Sequence, residues 1–204
     1  MALKTFVKIS KIDNLSDARY CAGMMVDILG FNLEEGTEGF VDNEKFTEIT
    51  NWLAGVKFCG EFKNAHTAEI KLAVEQFNLD YVEVQNLEQL EELQDVNVGL
   101  IYKAVMRSKE DLESLPAKLE MASELAKYTV VATTDYQEET YNSLNKLLSG
   151  KSPVIIGYTN KPEDVESLLD QPHLLGLELE GSPEERPGFK DYDNVMDILE
   201  LLED

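Results

Sequence analysis

Basic residues are scarce in this chain: 18 lysines and arginines stand against 40 acidic residues in 204 positions, a formal net charge of -22 at pH 7. A surface so negative repels phosphate backbones and anionic headgroups, which excludes nucleic acid and membrane surfaces as partners. Cysteine is also scarce, and Cys21 and Cys59 have neither zinc-site spacing nor the number needed for a disulfide framework, so two reduced, buried thiols are expected. No apolar run reaches the roughly 20 residues of a membrane span. The first ten residues carry Lys4 and Lys8, which break the apolar core a signal peptide needs, and a cytoplasmic location is expected. Heptads, low-complexity tracts and interdomain linkers are absent as well.

What is present suits one folded domain over residues 1–204. Hydrophobic residues make up 43% and charged residues 28%, enough apolar surface for a sizeable core. Short apolar runs alternate with amphipathic stretches. The runs predict eight strands: Thr5 to Ser10, Asp27 to Asn32, Val56 to Phe62, Tyr81 to Gln85, Val98 to Ala104, Tyr128 to Thr133, Pro153 to Gly157 and Leu175 to Glu180. Between them, Phe46, Ile49, Trp52 and Leu53 recur at helical spacing, as do Ile70, Ala73, Val74 and Phe77, then Tyr141, Leu144, Leu147 and Leu148. A last helix from about Tyr192 to Leu202 points Val195, Ile198, Leu199 and Leu202 inward. Asn14 and Asn64 stand where N-caps are expected, and Pro162 opens a first helical turn.

The order is βα repeated eight times, in short regular units without a Gly-x-Gly-x-x-Gly turn after the first strand. That predicts an α/β fold, a (β/α)8 TIM barrel, rather than an open doubly wound sheet. Chemistry in such a barrel sits at the C-terminal ends of the strands. Period two places Lys8 with Ser10, Glu83 with Gln85, and Glu178 with Glu180 on common faces, with Lys103 joining from strand five. The plain reading is a lysine–carboxylate network inside the barrel; the sharper one is a site for a cationic or polyhydroxyl ligand. Glu34, Glu35, Asp135 and Glu180 lack metal-ligand spacing, so no metal is expected, and no cofactor. His66 and His173 read as a first-turn helix residue and a loop residue, and the run Glu88 to Glu92 as a solvated helix face.

Several segments, taken in order, resemble the phosphoribosylanthranilate isomerase family. They are Val7-Lys8-Ile9-Ser10 with Asp17-Ala18, Asp27-Ile28-Leu29-Gly30-Phe31, and Cys59-Gly60-Glu61-Phe62-Lys63-Asn64. In the C-terminal third, Pro153-Val154-Ile155-Ile156, Pro162-Glu163-Asp164-Val165 and Pro187-Gly188-Phe189-Lys190-Asp191 complete the match. The resemblance implies a TIM barrel and an Amadori rearrangement, in which a general acid protonates the ribose ring oxygen and a general base removes the proton from C2. It also implies where the site residues fall. The family's cysteine base falls on Ser10, and its following glycine on Lys11. An unactivated hydroxyl is a far weaker base than a thiol, and general base catalysis contributes about 10² to 10⁴ in rate. Lys8 would activate Ser10 only with a depressed pKa. The family's aspartate acid falls on a threonine, with Asp135 one or two positions late; Asp135 serves if the strand carries a bulge, and otherwise is a loop acid or helix cap.

The resemblance places the family's carboxylate-binding arginine on Gly39, inside an acidic loop. Its phosphate site falls on Gly157-Tyr158-Thr159 and Glu180-Gly181-Ser182, so Thr159, Gly181 and Ser182 join Lys8, Gly39, Gln85 and Glu180 as candidate ligand-binding residues. Glu180 stands where a small hydroxyl residue belongs, and a like-charge contact at ~4 Å costs ~4 kcal/mol at an effective dielectric of about 20. A small-molecule ligand is expected, with a sugar phosphate disfavoured by Glu180; the oligomeric state is left open. The expectation is a divergent family barrel, weak or inactive in the family reaction. The alternatives are an active isomerase with a rearranged pair, Ser10 or Lys8 with Asp135, and an enzyme of different chemistry on the same barrel.

Overall fold

In a computed structural model, the structure describes residues 2–133, 154–157, 162–169, 174–180, 184–186, 189–190 and 192–204. Eight parallel strands close into a barrel in chain order: β1 (Phe6–Ser10), β2 (Ile28–Asn32), β3 (Lys57–Phe62), β4 (Tyr81–Val84), β5 (Gly99–Met106), β6 (Tyr128–Thr133), β7 (Val154–Gly157) and β8 (Leu174–Glu180). Each expected strand is present with its ends shifted by at most two residues. Closure pairs β1 with β8, setting Lys8 against Glu178 and Ser10 against Glu180. A two-stranded ribbon, β9 (Glu184–Arg186) and β10 (Phe189–Lys190), follows.

Helices α1 (Leu15–Gly23), α2 (Asn43–Thr50), α3 (Thr67–Gln76), α4 (Leu87–Glu92), α5 (Lys109–Leu125), α6 (Pro162–Leu169) and α7 (Asp193–Leu201) surround the barrel. Asn14 caps α1 by accepting from the Asp17 N–H, and Asp42 and Ser108 cap α2 and α5 in the same way. The cap of α3 is His66 rather than Asn64: the Glu69 carboxylate reaches back to the His66 N–H at 2.7 Å, while Asn64 donates its own N–H to Glu34. Trp52 departs from the helical reading, because α2 ends at Thr50 and leaves the indole 71% exposed. Val195, Ile198, Leu199 and Leu202 are buried as the spacing requires. Tyr141, Leu144, Leu147 and Leu148 lie outside the described residues. No helix among the described residues is long and apolar enough to cross a membrane.

Alternation along the strands makes two cores. Outward-facing Val7, Ile9, Leu29, Phe31, Val82, Val84, Val131, Ile156 and Leu177 pack under the helices. Inward-facing Ile28, Cys59, Tyr81, Ile101, Val130 and Ile155 form a separate apolar plug in the barrel, flanked by Phe6, Tyr128 and Leu175. Two residues further along each strand the same inward phase reaches Gly30, Glu61, Glu83, Lys103, Ala132 and Gly157, with Lys8 and Glu178 two beyond Phe6 and Gly176. The barrel interior therefore changes from apolar to charged over one pleat, toward the C-terminal ends of the strands.

Candidate functional site

The charged layer is organised around the Lys8 ammonium, which is fully buried. Its Nζ donates to Ser10 Oγ at 2.7 Å, Glu61 Oε1 at 2.6 Å and Glu178 Oε1 at 2.6 Å, and stands 2.9 Å from Glu83 Oε2. Lys103 completes the layer at 2.7 Å from Glu178 Oε2 and 3.7 Å from Glu83 Oε1. Room for these carboxylates comes from two strand glycines. A Cβ on Gly30 would overlap the Glu61 carboxylate, and one on Gly157 would lie 2.5 Å from Glu178 Oε2. Glu61, Glu83 and Glu178 converge closely enough to surround a cation, and the cation among them is the chain's own ammonium.

Burial alone would depress the Lys8 pKa, but the carboxylates of Glu178, Glu61 and Glu83 outweigh it and hold the amine well above its ordinary value. Lys103 behaves alike: desolvation is overcome by Glu178 and Glu83, and its pKa is raised. For Glu178, desolvation is outweighed by Lys103 and Lys8, and the carboxyl is held far below the usual range. Burial pushes the Cys59 thiol up, away from thiolate chemistry, and Cys21 is likewise buried and reduced.

Ser10 closes this layer at the end of β1. It is buried, accepts from Lys8 and donates to Glu178 Oε1 at 2.6 Å. Both of its charged neighbours are thus locked in their ionised forms. Lys11, where the resemblance places a glycine, keeps a glycine-like backbone at φ 56°, a conformation that costs an ordinary side chain roughly 1 kcal/mol. Its ammonium pairs with Glu180 across the β1–β8 seam. Glu180 thus stands at the end of β8 in an exposed ion pair. Glu61 joins both levels, since its second oxygen accepts the Lys11 N–H at 3.2 Å.

The acidic loop after β2 is ordered by its own side chains. Asn32 donates to Thr37 Oγ1 and to the Glu38 carbonyl, and accepts from the Glu34 N–H. Glu34 Oε2 accepts two backbone N–H groups of the next loop, Lys63 at 2.6 Å and Asn64 at 2.9 Å. That engagement makes Glu34 a brace between loops. Gly39 is exposed at φ 76°, so conformation rather than space opposes a side chain there. Gln85 lies one residue past β4 and is half-buried. Asp135, Thr159, Gly181 and Ser182 lie outside the described residues, as does His173.

Sequence reasoning assembled Lys8, Ser10, Glu83, Lys103 and Glu178 but passed over Glu61 and the pairing of Lys11 with Glu180. The signal for Glu61 was there: it stands two residues past Cys59, on the inward phase of β3.

Comparison with known proteins agrees with this architecture. The family model for N-(5'-phosphoribosyl)anthranilate isomerase matches residues 7–201, almost the whole chain. The chain belongs to the phosphoribosylanthranilate isomerase family. Among relatives, it is 27% identical over 193 residues to N-(5'-phosphoribosyl)anthranilate isomerase of Rubrobacter xylanophilus, covering 90% of this chain and 92% of that protein. It is 25% identical over 205 residues to the Gloeothece citriformis enzyme of the same name, covering 96% and 93%. The crystal structure of phosphoribosylanthranilate isomerase from Thermotoga maritima superposes with a TM-score of 0.78 at 19% identity, over 96% of this chain and 97% of that one. A further family structure, in complex with reduced 1-(o-carboxyphenylamino)-1-deoxyribulose 5-phosphate, gives 0.75 at 18% identity over the same shares. These two structural likenesses establish the family's barrel; the family itself rests on the match over residues 7–201.

Proposed function

We propose that this chain is a phosphoribosylanthranilate isomerase-family barrel that carries out the family isomerisation weakly or not at all, and that it serves as a small-metabolite-binding protein. The observation that carries this reading is the setting of Ser10. A general base needs an acceptor whose pKa lies near the working pH. Ser10 is hydrogen-bonded between a protonated amine and an ionised carboxylate, and neither can take a proton from it at neutral pH. The alternative in which Lys8 activates Ser10 required a depressed lysine pKa, and the shift runs the other way. Gly39 offers no cation for an anthranilate carboxylate. A family structure in complex with reduced 1-(o-carboxyphenylamino)-1-deoxyribulose 5-phosphate supports a small molecule as the class of ligand.

The test is direct. Purified protein given phosphoribosylanthranilate should turn it over at least about 10³ times more slowly than an intact family enzyme, since loss of one acid–base group costs about 10² to 10⁴. The gene should also fail to complement a tryptophan auxotroph lacking the isomerase. Turnover in the ordinary range of about 1 to 10³ per second would overturn the reading and favour a rearranged site using Asp135. An unbiased metabolite screen then separates a binder from an enzyme of different chemistry.

A further inference from the structure

Among the described residues, the charged layer inside the barrel does not balance. Lys8 and Lys103 supply two ammonium groups, while Glu61, Glu83 and Glu178 supply three carboxyl groups, all of them fully or largely withdrawn from water. A buried charge without compensation is costly, and an ionisable group so placed tends to neutralise. We propose that the barrel interior stores one proton, and that Glu83 holds it as a neutral carboxylic acid at pH values where exposed glutamates are ionised.

The hydrogen bonds single out Glu83. An ammonium has three hydrogens, and those of Lys8 go to Ser10, Glu61 and Glu178. Glu83 Oε2, although 2.9 Å from Lys8 Nζ, is buried without a hydrogen-bond donor. Its other oxygen has Lys103 at 3.7 Å, beyond hydrogen-bond reach, because that lysine is committed to Glu178 at 2.7 Å. The two remaining carboxylates are well supplied. Glu61 accepts from Lys8 and from the Lys11 N–H, and Glu178 accepts from Lys8 and Ser10 while contacting Lys103.

A proton on Glu83 answers both defects. It makes the layer of described residues neutral, and it removes the charge from an orphaned acceptor that has an oxygen of Glu61 and of Glu178 within 4.8 Å. Among the described residues, the charged and titratable groups around Glu83 are Lys8 on β1, Cys59 and Glu61 on β3, Lys103 on β5 and Glu178 on β8. Among them burial pushes the Glu83 pKa up, and the pull of Lys8 and Lys103 does not cancel it.

The experiment is a carboxyl-carbon NMR titration of the folded protein labelled with 13C-glutamate. At pH 6 a glutamate of ordinary pKa, about 4.3, is about 98% ionised. One resonance should remain in the protonated position there, correlate with the Glu83 spin system, and be missing from Glu83→Gln. A spectrum at pH 6 with every glutamate ionised would overturn the proposal. Stability gives a second reading at the same pH: Glu83→Gln, which mimics the neutral acid and spares the proton uptake that folding otherwise requires, should leave the denaturation midpoint no lower and is expected to raise it, whereas Glu178→Gln should lower it. Equal losses in the two variants would mean that Glu83 is a working carboxylate, and would overturn the proposal as well.

Discussion

Gly30 and Glu61 share one volume: the space that a β-carbon on Gly30 would fill is taken by the Glu61 carboxylate, reaching in from the neighbouring strand toward Lys8. The register places Glu61 beside Asn32 and Gly30 beside Cys59, so the glycine lies one pleat below the carboxylate it admits. A glycine in a strand interior is locally unfavourable. Here its cost is offset by an ion pair that a larger residue would exclude.

Not all strand glycines are alike, and their replacement by alanine should rank accordingly. In Gly30→Ala the obstacle is the end of a side chain that is 11% exposed and can swing toward the mouth, so the expected loss is about 1–3 kcal/mol. In Gly176→Ala the new methyl meets the Phe6 carbonyl oxygen within the β1–β8 ladder, and backbone cannot move aside. The expected loss there exceeds about 4 kcal/mol, in the range reserved for severe defects. Denaturant unfolding of the two variants checks the order; equal losses would mean that the seam between β1 and β8 gives way more easily than its pairing implies.

Acid should unfold the protein through the same layer. Glu178 has its folded pKa lowered, because Lys103 and Lys8 outweigh the desolvation of its carboxyl. In the unfolded chain it takes up a proton near pH 4.3, while in the folded protein it stays ionised. Its stabilising contribution is therefore fully present above that pH and is lost as pH falls toward the folded pKa. Thermal midpoints should fall progressively as pH drops below about 5, and Glu178→Gln, weaker at pH 6, should show a flatter dependence there. A wild-type curve as flat as the variant's would mean that Glu178 is not ionised in the barrel.

The barrel itself was legible because periodicity records burial on both faces of every strand. The same phase, followed inward, places Lys8, Ser10, Glu83, Lys103 and Glu178 on one face of their strands from the sequence alone. Three things were hidden from it. The Lys11–Glu180 pair depends on closure between the first and last strands, 169 residues apart. The role of Glu34 is set by two backbone N–H groups of another loop, which no side-chain pattern encodes. Glu61, which after Glu178 helps to raise the Lys8 pKa against its burial, was hidden too, because its neighbours Gly60 and Phe62 disguise an inward charge within an apolar strand.

A thiol at the end of β1, where the family resemblance places the general base, is not expected to confer family catalysis. In Ser10→Cys the new sulfur sits between the Lys8 ammonium, which favours a thiolate, and the Glu178 carboxylate, which opposes it. Gly39 still lacks a cation, and its left-handed backbone does not favour one. The expected gain in kcat/KM for phosphoribosylanthranilate is below about tenfold, against the roughly 10² to 10⁴ a working base contributes. A larger gain in steady-state assays would mean that the remainder of the site is competent and that only the base was missing.

Phosphate recognition offers the last test, and it can be made without knowing the natural ligand. Glu180 terminates β8 beside Ser10, and Lys11 holds its carboxylate in an exposed ion pair. An incoming phosphate dianion meets that carboxylate and the wider field of a chain with net charge -22. The pairing softens the first obstacle but also occupies the cation an anion would seek. Ribose 5-phosphate should therefore bind weakly or undetectably near neutral pH. Glu180→Ser removes the negative charge and releases Lys11 from this pair, so affinity should rise clearly, and Lys11→Ala in that background should cancel the gain. Calorimetric titrations in low salt, where exposed charges are least screened, check both steps. Tight binding by the unaltered protein, indifferent to either substitution, would mean that the anion is held away from this seam and that a sugar phosphate belongs among its natural ligands.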